Sequence, residues 1–168
     1  MPIIQGEIVI ITLQCLGQIE GNRFLDGRTA DGTVGLAPTG SDVKHFSGAQ
    51  WQVFPQNDVD IIELKCQGSI KNPNFQFLEG RTRDGTVALA PGTGGEFTGR
   101  TRWKVTEITP GGTSRKGTIT LECIGDFKNP QFRFLDGRTQ DSTVGLAPET
   151  GGHFTGTHWH FEVVQFLP

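Results

Sequence analysis

The hexapeptide Phe24-Leu25-Asp26-Gly27-Arg28-Thr29 decides the fold, because the chain contains it three times. It returns at 77–82, with glutamate in place of the aspartate, and at 134–139, so the spacings are 53 and 57 residues. Other markers keep the same order around each copy: the preceding cysteines Cys15, Cys66 and Cys123, the following segments 34–38, 87–91 and 144–148, and the closing tryptophans Trp51, Trp103 and Trp159. A fixed period over the whole chain predicts an architecture of repeated units.

The markers divide one domain, residues 1–168, into repeats at about 6–59, 60–109 and 110–168. Repeats two and three share Lys-Asn-Pro, which begins at Lys71 and Lys128, and Thr-Gly-Gly-x-Phe-Thr-Gly, which begins at Thr93 and Thr150. Repeat one lacks both motifs, and a turn-rich connector, Pro110-Gly-Gly-Thr-Ser, opens repeat three. We therefore expect similar binding sites in repeats two and three, and a weaker or empty site in repeat one.

Within a repeat the apolar residues alternate with polar ones, which predicts strands rather than helices. Ile11, Leu13 and Cys15 set this pattern, and about four such strands fit in each repeat. Asp31-Gly32 between two strands favours a two-residue type I′ turn. Repeat three has Ser142 in place of that glycine, so the third turn is expected to be strained or of another type.

Twelve short strands in three repeats match neither a propeller, which has four to eight blades, nor a solenoid, which needs distinct caps. The chain resembles the β-trefoil superfamily, which implies an all-β fold, a β-trefoil of three four-stranded repeats with pseudo-threefold symmetry. The order Leu-Asp, Asp-Gly and Val-x-Leu in residues 23–36 of repeat one is also similar to the ricin-B-type trefoil lectins. The Gln-x-Trp signature of those lectins is absent, since Ala49, Thr101 and Thr157 hold the glutamine position. The resemblance implies that Asp26, Glu79 and Asp136 accept hydrogen bonds from sugar hydroxyls.

Each of these carboxylates precedes an arginine by two residues, at Arg28, Arg81 and Arg138. Residues two apart on a strand share a face, so the pairs can form structural ion pairs or a charged recognition edge. We favour the structural pairing. A variable loop follows in each repeat and places His45, Glu96 and His153 just before an aligned phenylalanine, as candidate ligand-binding residues.

The cysteines and tryptophans have a structural and a functional interpretation. Three cysteines flanked by Ile and Leu are expected to be buried, and no CxxC spacing supports a threefold metal site. The tryptophans are expected to be core anchors, with a sugar-stacking platform as the alternative. His158 and His160 flank Trp159 without a third ligand nearby, so no metal and no cofactor are predicted.

Composition excludes several classes of protein. A net charge of −3 provides no field to gather phosphates, so a general nucleic-acid binder is disfavoured. No apolar run reaches the roughly 18 residues that span a bilayer, and Met1–Leu13 lacks the features of a secretory signal. We expect a soluble protein without membrane insertion. Cytoplasmic localisation suits the free cysteines, and release without a signal peptide stays open.

No nucleophile elbow, phosphate-binding loop or Cys/His pair supports catalysis, so an enzyme is not expected. The leading hypothesis is a non-enzymatic, lectin-like carbohydrate-binding protein with up to three related sites. The alternative is a protein-interaction module of the protease-inhibitor or cytoskeletal-adaptor type. Repeat two also concentrates basic residues, which indicates either a patch for anionic ligands or a solvated face: Arg81, Arg83, Arg100, Arg102 and Lys104.

Overall fold

The computed structural model describes residues 8–17, 21–42, 44–58, 60–108, 115–125 and 128–167. The connector that begins at Pro110 lies outside these residues. The strands are β1 (Ile8–Cys15), β2 (Phe24–Arg28), β3 (Thr33–Ala37), β4 (Trp51–Pro55), β5 (Ile61–Cys66), β6 (Phe77–Arg81), β7 (Thr86–Ala90), β8 (Trp103–Glu107), β9 (Lys116–Cys123), β10 (Phe134–Arg138), β11 (Thr143–Ala147) and β12 (Trp159–Leu167). Short 3-10 helices precede β4, β8 and β12, at Ser47–Ala49, Gly95–Phe97 and Thr155–Thr157.

The strands form one antiparallel sheet that closes on itself. Strand β1 pairs with β4 and β12, β5 pairs with β4 and β8, and β9 pairs with β8 and β12, which completes a ring. The hairpins β2–β3, β6–β7 and β10–β11 extend from this ring. Their second strands, β3, β7 and β11, also pair with one another. The all-β prediction is confirmed.

The prediction of a β-trefoil with three four-stranded repeats is corrected: the architecture is one closed antiparallel β-barrel, and the repeat is not the unit in which its sheet is built. The longest pairing joins β1 to β12 of the third repeat, from Ile8↔Leu167 to Cys15↔Trp159. Pairings between repeats, such as Trp51↔Cys66 to Pro55↔Ile62, are longer than the ring pairings inside a repeat. The physical reason is that the strands of a single repeat leave edge N–H and C=O groups unpaired, and only the next repeat satisfies them.

The turns of the three hairpins also differ from expectation. Arg28 pairs with Thr33, so four residues connect β2 to β3, and the two-residue type I′ turn was wrong. The Gly32 amide donates to the Arg28 carbonyl at 2.7 Å, and Gly32 has φ of 81°. Ser142 takes the equivalent position with φ of 67°, a left-handed conformation that a serine adopts at a cost.

Candidate functional site

The repeated hexapeptide has a structural role in the barrel. Its glycine packs against a cysteine and a tryptophan: a Cβ on Gly80 would lie 2.7 Å from Cys123 Sγ and 2.9 Å from Trp103 Cη2. The same contacts recur at Gly27 and Gly137. The motif is therefore repeated because the barrel needs a side-chain-free position there.

The tryptophans are core residues, as predicted, and the sugar-platform alternative was wrong. Trp51, Trp103 and Trp159 are each fully buried. Each indole N–H donates to a backbone carbonyl, for example from Trp51 Nε1 to Leu25 O at 2.9 Å. Neither an exposed ring face nor a spare donor remains for a ligand.

The cysteines are buried and free, as predicted. Each thiol donates to two carbonyls of another repeat, as when Cys66 Sγ donates to Gly27 O at 3.4 Å and Gly48 O at 3.6 Å. Burial raises the pKa of the Cys66 thiol to about 12 and also raises that of Cys15. No group of three metal-ligating side chains occurs among the described residues.

The repeated carboxylates lie beside their arginines and are largely inaccessible. Asp26 is 8% exposed, and Arg28 Nε lies 3.8 Å from its Oδ2; Asp136 and Arg138 repeat this geometry. Burial raises the pKa of the Asp26 carboxyl, and the neighbouring Arg28 only partly opposes that effect. The expected ion pairing is therefore present, and a ligand would reach the arginines more readily than the acids.

Repeat two departs from this pattern. Glu79 is 1% exposed, its Oε1 lies 3.3 Å from Arg81 Nε, and its Oε2 pairs with Arg100. Repeats one and three have glycine where repeat two has Arg100, at Gly48 and Gly156. A Cβ at Gly156 would lie 1.9 Å from the Gly137 carbonyl oxygen, so repeat two has a locally different backbone arrangement. Among the described residues, the carboxylate of repeat two is the one that pairs with a second guanidinium.

The variable-loop candidates are exposed, and the structure does not bring them to the carboxylate–arginine pairs. His45 Nδ1 lies 3.0 Å from Asp42 Oδ2. Glu96 belongs to the 3-10 helix Gly95–Phe97, and His153 lies in the turn before Phe154. Their role in binding stays a prediction, as does that of the carboxylate–arginine pairs.

Two cavities lie beside the Lys-Asn-Pro loops, and residue-by-residue reading of the sequence missed most of their lining. The cavity of repeat two measures about 360 Å³ and that of repeat three about 250 Å³. The first is lined in part by three glutamines, Gln52, Gln67 and Gln76, together with Lys65, Lys71 and Asn72. The shared tripeptide was the signal that marked both places, but the glutamines come from β4 and from both sides of the β5–β6 loop.

The tripeptide itself builds the wall of each cavity. Asn72 Oδ1 accepts a hydrogen bond from the Asn74 amide at 3.0 Å, and Asn129 does the same for Gln131 at 2.9 Å. This Asx turn positions the following phenylalanine, Phe75 or Phe132, which lines the cavity. Each loop thus has an internal hydrogen bond where it borders its cavity.

The two cavities differ in charge. Lys65 in the first is replaced by Glu122 in the second, and Gln76 by Arg133. Glu122 Oε2 lies 2.6 Å from Arg133 NH2, so the second cavity contains an ion pair where the first has a lysine and an amide. No acidic side chain of the described residues lines the first cavity.

No protein-family model matches the chain, and no curated protein matches it. Solved structures share its fold. Cry35Ab1 is similar with a TM-score of 0.65 and 12% identity over 95% of this chain and 37% of that one. A Culex salivary protein of the cysteine and tryptophan-rich family is similar with a TM-score of 0.61 and 14% identity over 92% of both chains. The lysenin pore is similar with a TM-score of 0.59 and 13% identity over 97% of this chain and 48% of that one.

These neighbours correct the sequence resemblance. The similar structures include Cry35Ab1 and a lysenin pore, whereas ricin-B-type lectins were expected. The assignment to that lectin group and to the β-trefoil superfamily was therefore wrong. At 12–14% identity the likeness shows the fold alone. The chain spans about two-fifths of the length of Cry35Ab1. Within the part of the chain that the structure describes, no helix is both long and apolar enough to cross a membrane.

Proposed function

We propose that the chain is a non-enzymatic carbohydrate-binding domain with up to three related sites, two of which are the cavities beside the Lys-Asn-Pro loops. The observation that carries the proposal is the pair of equivalent cavities, one of which has three glutamine side chains in its lining. An amide both donates and accepts hydrogen bonds, as a sugar hydroxyl does, so amides suit a ligand rich in hydroxyl groups. The equivalent loop of repeat one includes residues 18–20, which lie outside the described residues.

The hydrogen bonds of these amides support a preformed site. Gln76 Nε2 donates to Pro73 O at 3.0 Å and to Pro91 O at 2.9 Å, which orients its side chain. Gln67 Nε2 donates to Lys65 O at 3.1 Å. The side-chain amides of Gln67 and Gln76 are therefore held by their nitrogens, and their oxygens are acceptors for a ligand. Ordering these groups before binding lowers the entropy that binding costs.

The carboxylates support a binding rather than a hydrolytic role. Glycoside hydrolysis needs two carboxyl groups across one cleft. The described lining of the repeat-two cavity contains none, and Glu122 in the other cavity is already paired with Arg133. This arrangement favours recognition without bond cleavage.

A glycan array followed by calorimetry tests the proposal. We expect ligands of one glycan class to bind, and Gln52→Ala with Lys71→Ala to weaken the repeat-two site by at least tenfold. Lys44→Ala is the matched control, because Lys44 is exposed and lines neither cavity. Absence of binding to every glycan class at millimolar ligand would reject the proposal.

The second candidate, a protein-interaction module, is favoured by Ile70. This apolar side chain lines the repeat-two cavity and is 55% exposed. Together with the apolar Phe75 and Pro73 in the same lining, it provides apolar surface that a protein partner could cover. Ile70→Ser distinguishes the two better than a loop exchange, because the equivalent position of repeat three holds Phe127. A glycan binder should retain its ligand in this variant, whereas a protein partner that uses Ile70 should be lost.

A further inference from the structure

A third, smaller cavity adjoins the cavity of repeat three and is lined by arginines. It measures about 140 Å³, and its lining is Arg81, Thr82, Arg83 and Arg100. Thr82 also lines the 250 Å³ cavity, so the two cavities are neighbours on either side of this side chain. No acidic residue of the described chain lines the smaller cavity.

Two of the arginines, Arg81 and Arg100, are held in place by neighbouring groups. The two oxygens of the buried Glu79 carboxylate pair with Arg81 and Arg100, so one negative charge holds two guanidinium groups. Arg100 NH1 also donates to Glu96 O at 3.4 Å, and its guanidinium carbon lies 5.3 Å from the centre of the Phe97 ring. These contacts orient the guanidinium groups before any ligand arrives.

A buried hydroxyl supplies an independent indication of a ligand. Thr82 is 4% exposed, and its Oγ1 has no hydrogen-bond partner among the described residues. A buried hydroxyl without a partner is uncommon because it has lost water and gained nothing. The hydroxyl is out of solvent contact, so it would donate to an anion oxygen after the side chain rotates toward the cavity.

Two of the three arginines, Arg83 and Arg100, belong to repeat two alone. Repeat one has Ala30 and Gly48 at the positions of Arg83 and Arg100, and repeat three has Gln140 and Gly156. A feature of the scaffold would recur in all three repeats, as the Gly–Cys–Trp contact does. The additional arginines therefore indicate a specific ligand group at one junction.

We propose that this cavity binds the sulfate or phosphate ester of a glycan whose sugar rings occupy the neighbouring cavity of repeat three. Guanidinium groups bind tetrahedral oxyanions through paired, charge-assisted hydrogen bonds. The inference rests on the proposed function and narrows its ligand class to anionic saccharides. Thr82 lies at the boundary, where a sugar carbon bearing the ester would be located.

Calorimetry with matched ligands tests the inference. The probes are chondroitin disaccharide without sulfate and its 4-sulfate and 6-sulfate, and mannose with mannose 6-phosphate. We expect at least one ester to bind tenfold or more tightly than its parent. Arg83→Gln, which copies the residue of repeat three, should abolish that preference. Arg102→Gln is the control, since Arg102 is exposed and does not line the cavity.

Three other outcomes are decisive. Equal binding of ester and parent would overturn the inference and leave the proposed function in place, as would equal losses in the Arg83 and Arg102 variants. Binding of no saccharide would reject the proposed function. In that case an NMR titration with inorganic sulfate tests whether the arginine-lined cavity binds an oxyanion. Chemical-shift changes at residues 81–83 that vanish in Arg83→Gln would support the oxyanion site, and the absence of such changes would overturn it.

Discussion

Glycine at the fourth position of the repeated hexapeptide is required by packing and not by backbone conformation. Gly27, Gly80 and Gly137 lie within strands and lack the positive φ found at Gly32 and Gly85. At each of the three, a cysteine sulfur and a tryptophan ring lie close to the place where a Cβ would be. One residue without a side chain thus allows a cysteine and a tryptophan to pack at each repeat junction.

Gly80→Ala should lower the free energy of unfolding by about 1–3 kcal/mol, the usual cost of overpacking a core. Its Cβ would lie 2.7 Å from Cys123 Sγ, so Cys123→Ala in the same chain should recover part of the loss. Urea unfolding measures both values. Gly92→Ala is the control, because a Cβ there meets nothing within 4 Å. Equal effects at Gly80 and Gly92 would contradict the packing account.

At the scale of elements, the hairpin turns join one repeat to the next through matched pairs of residues. The Phe75 ring lies over Gly32, and the Phe132 ring lies over Gly85, where a Cβ would be 2.4 and 2.5 Å from the nearest ring carbon. At the third junction the serine takes the place of the glycine, and Asn22 Nδ2 donates to Ser142 Oγ at 3.1 Å. A side chain at the turn is tolerated there because no ring covers it.

Asn22→Phe and Ser142→Gly should therefore be coupled. The first change alone places a ring against the Ser142 side chain, and the second alone removes the hydrogen bond to Asn22. Together they recreate the pair found at the other two junctions, so the double variant should be more stable than the sum of the single changes by at least about 1 kcal/mol. A double-mutant cycle in urea measures this coupling. Additivity within the error of the cycle would show that the junctions are independent of these pairs.

At the scale of the molecule, local pattern predicted local structure and little more. Alternation predicted the strand that contains Ile11, Leu13 and Cys15, which is β1, and the tryptophans were correctly expected in the core. The pairing of β1 with β12 joins segments about 150 residues apart, and no local pattern encodes such a contact. The cavities were missed for the same reason, since Gln52 and Gln76 meet only after β4, β5 and β6 have assembled.

At the hairpin turns, the local sequence predicted the wrong turn length. The dipeptide Asp31-Gly32 favours a short turn in isolation, but register with β3 imposes four connecting residues. Asp31 instead accepts hydrogen bonds from the Thr33 amide at 3.0 Å and hydroxyl at 2.7 Å. The pairing of the strands therefore determines which of the turns that Asp31 and Gly32 can form is adopted.

The three thiols report on opening of the whole barrel, because each lies at a junction between repeats. Cys15 Sγ donates to Gly137 O and Gly156 O, and the other two cysteines make the equivalent contacts. A pKa of about 12 for Cys66 reduces its thiolate fraction at pH 8 by about a thousandfold relative to a thiol at 9.0.

We therefore expect no reaction of the native protein with Ellman's reagent on the timescale of minutes, and reaction of all three thiols in denaturant. Mass spectrometry at intermediate urea should detect chains with either none or three labels, since closure of the ring makes opening cooperative. The rate should follow the unfolding rate when labelling outpaces refolding. Labelling of one cysteine well ahead of the others would mean that a single junction opens while the remaining strands of the barrel stay paired.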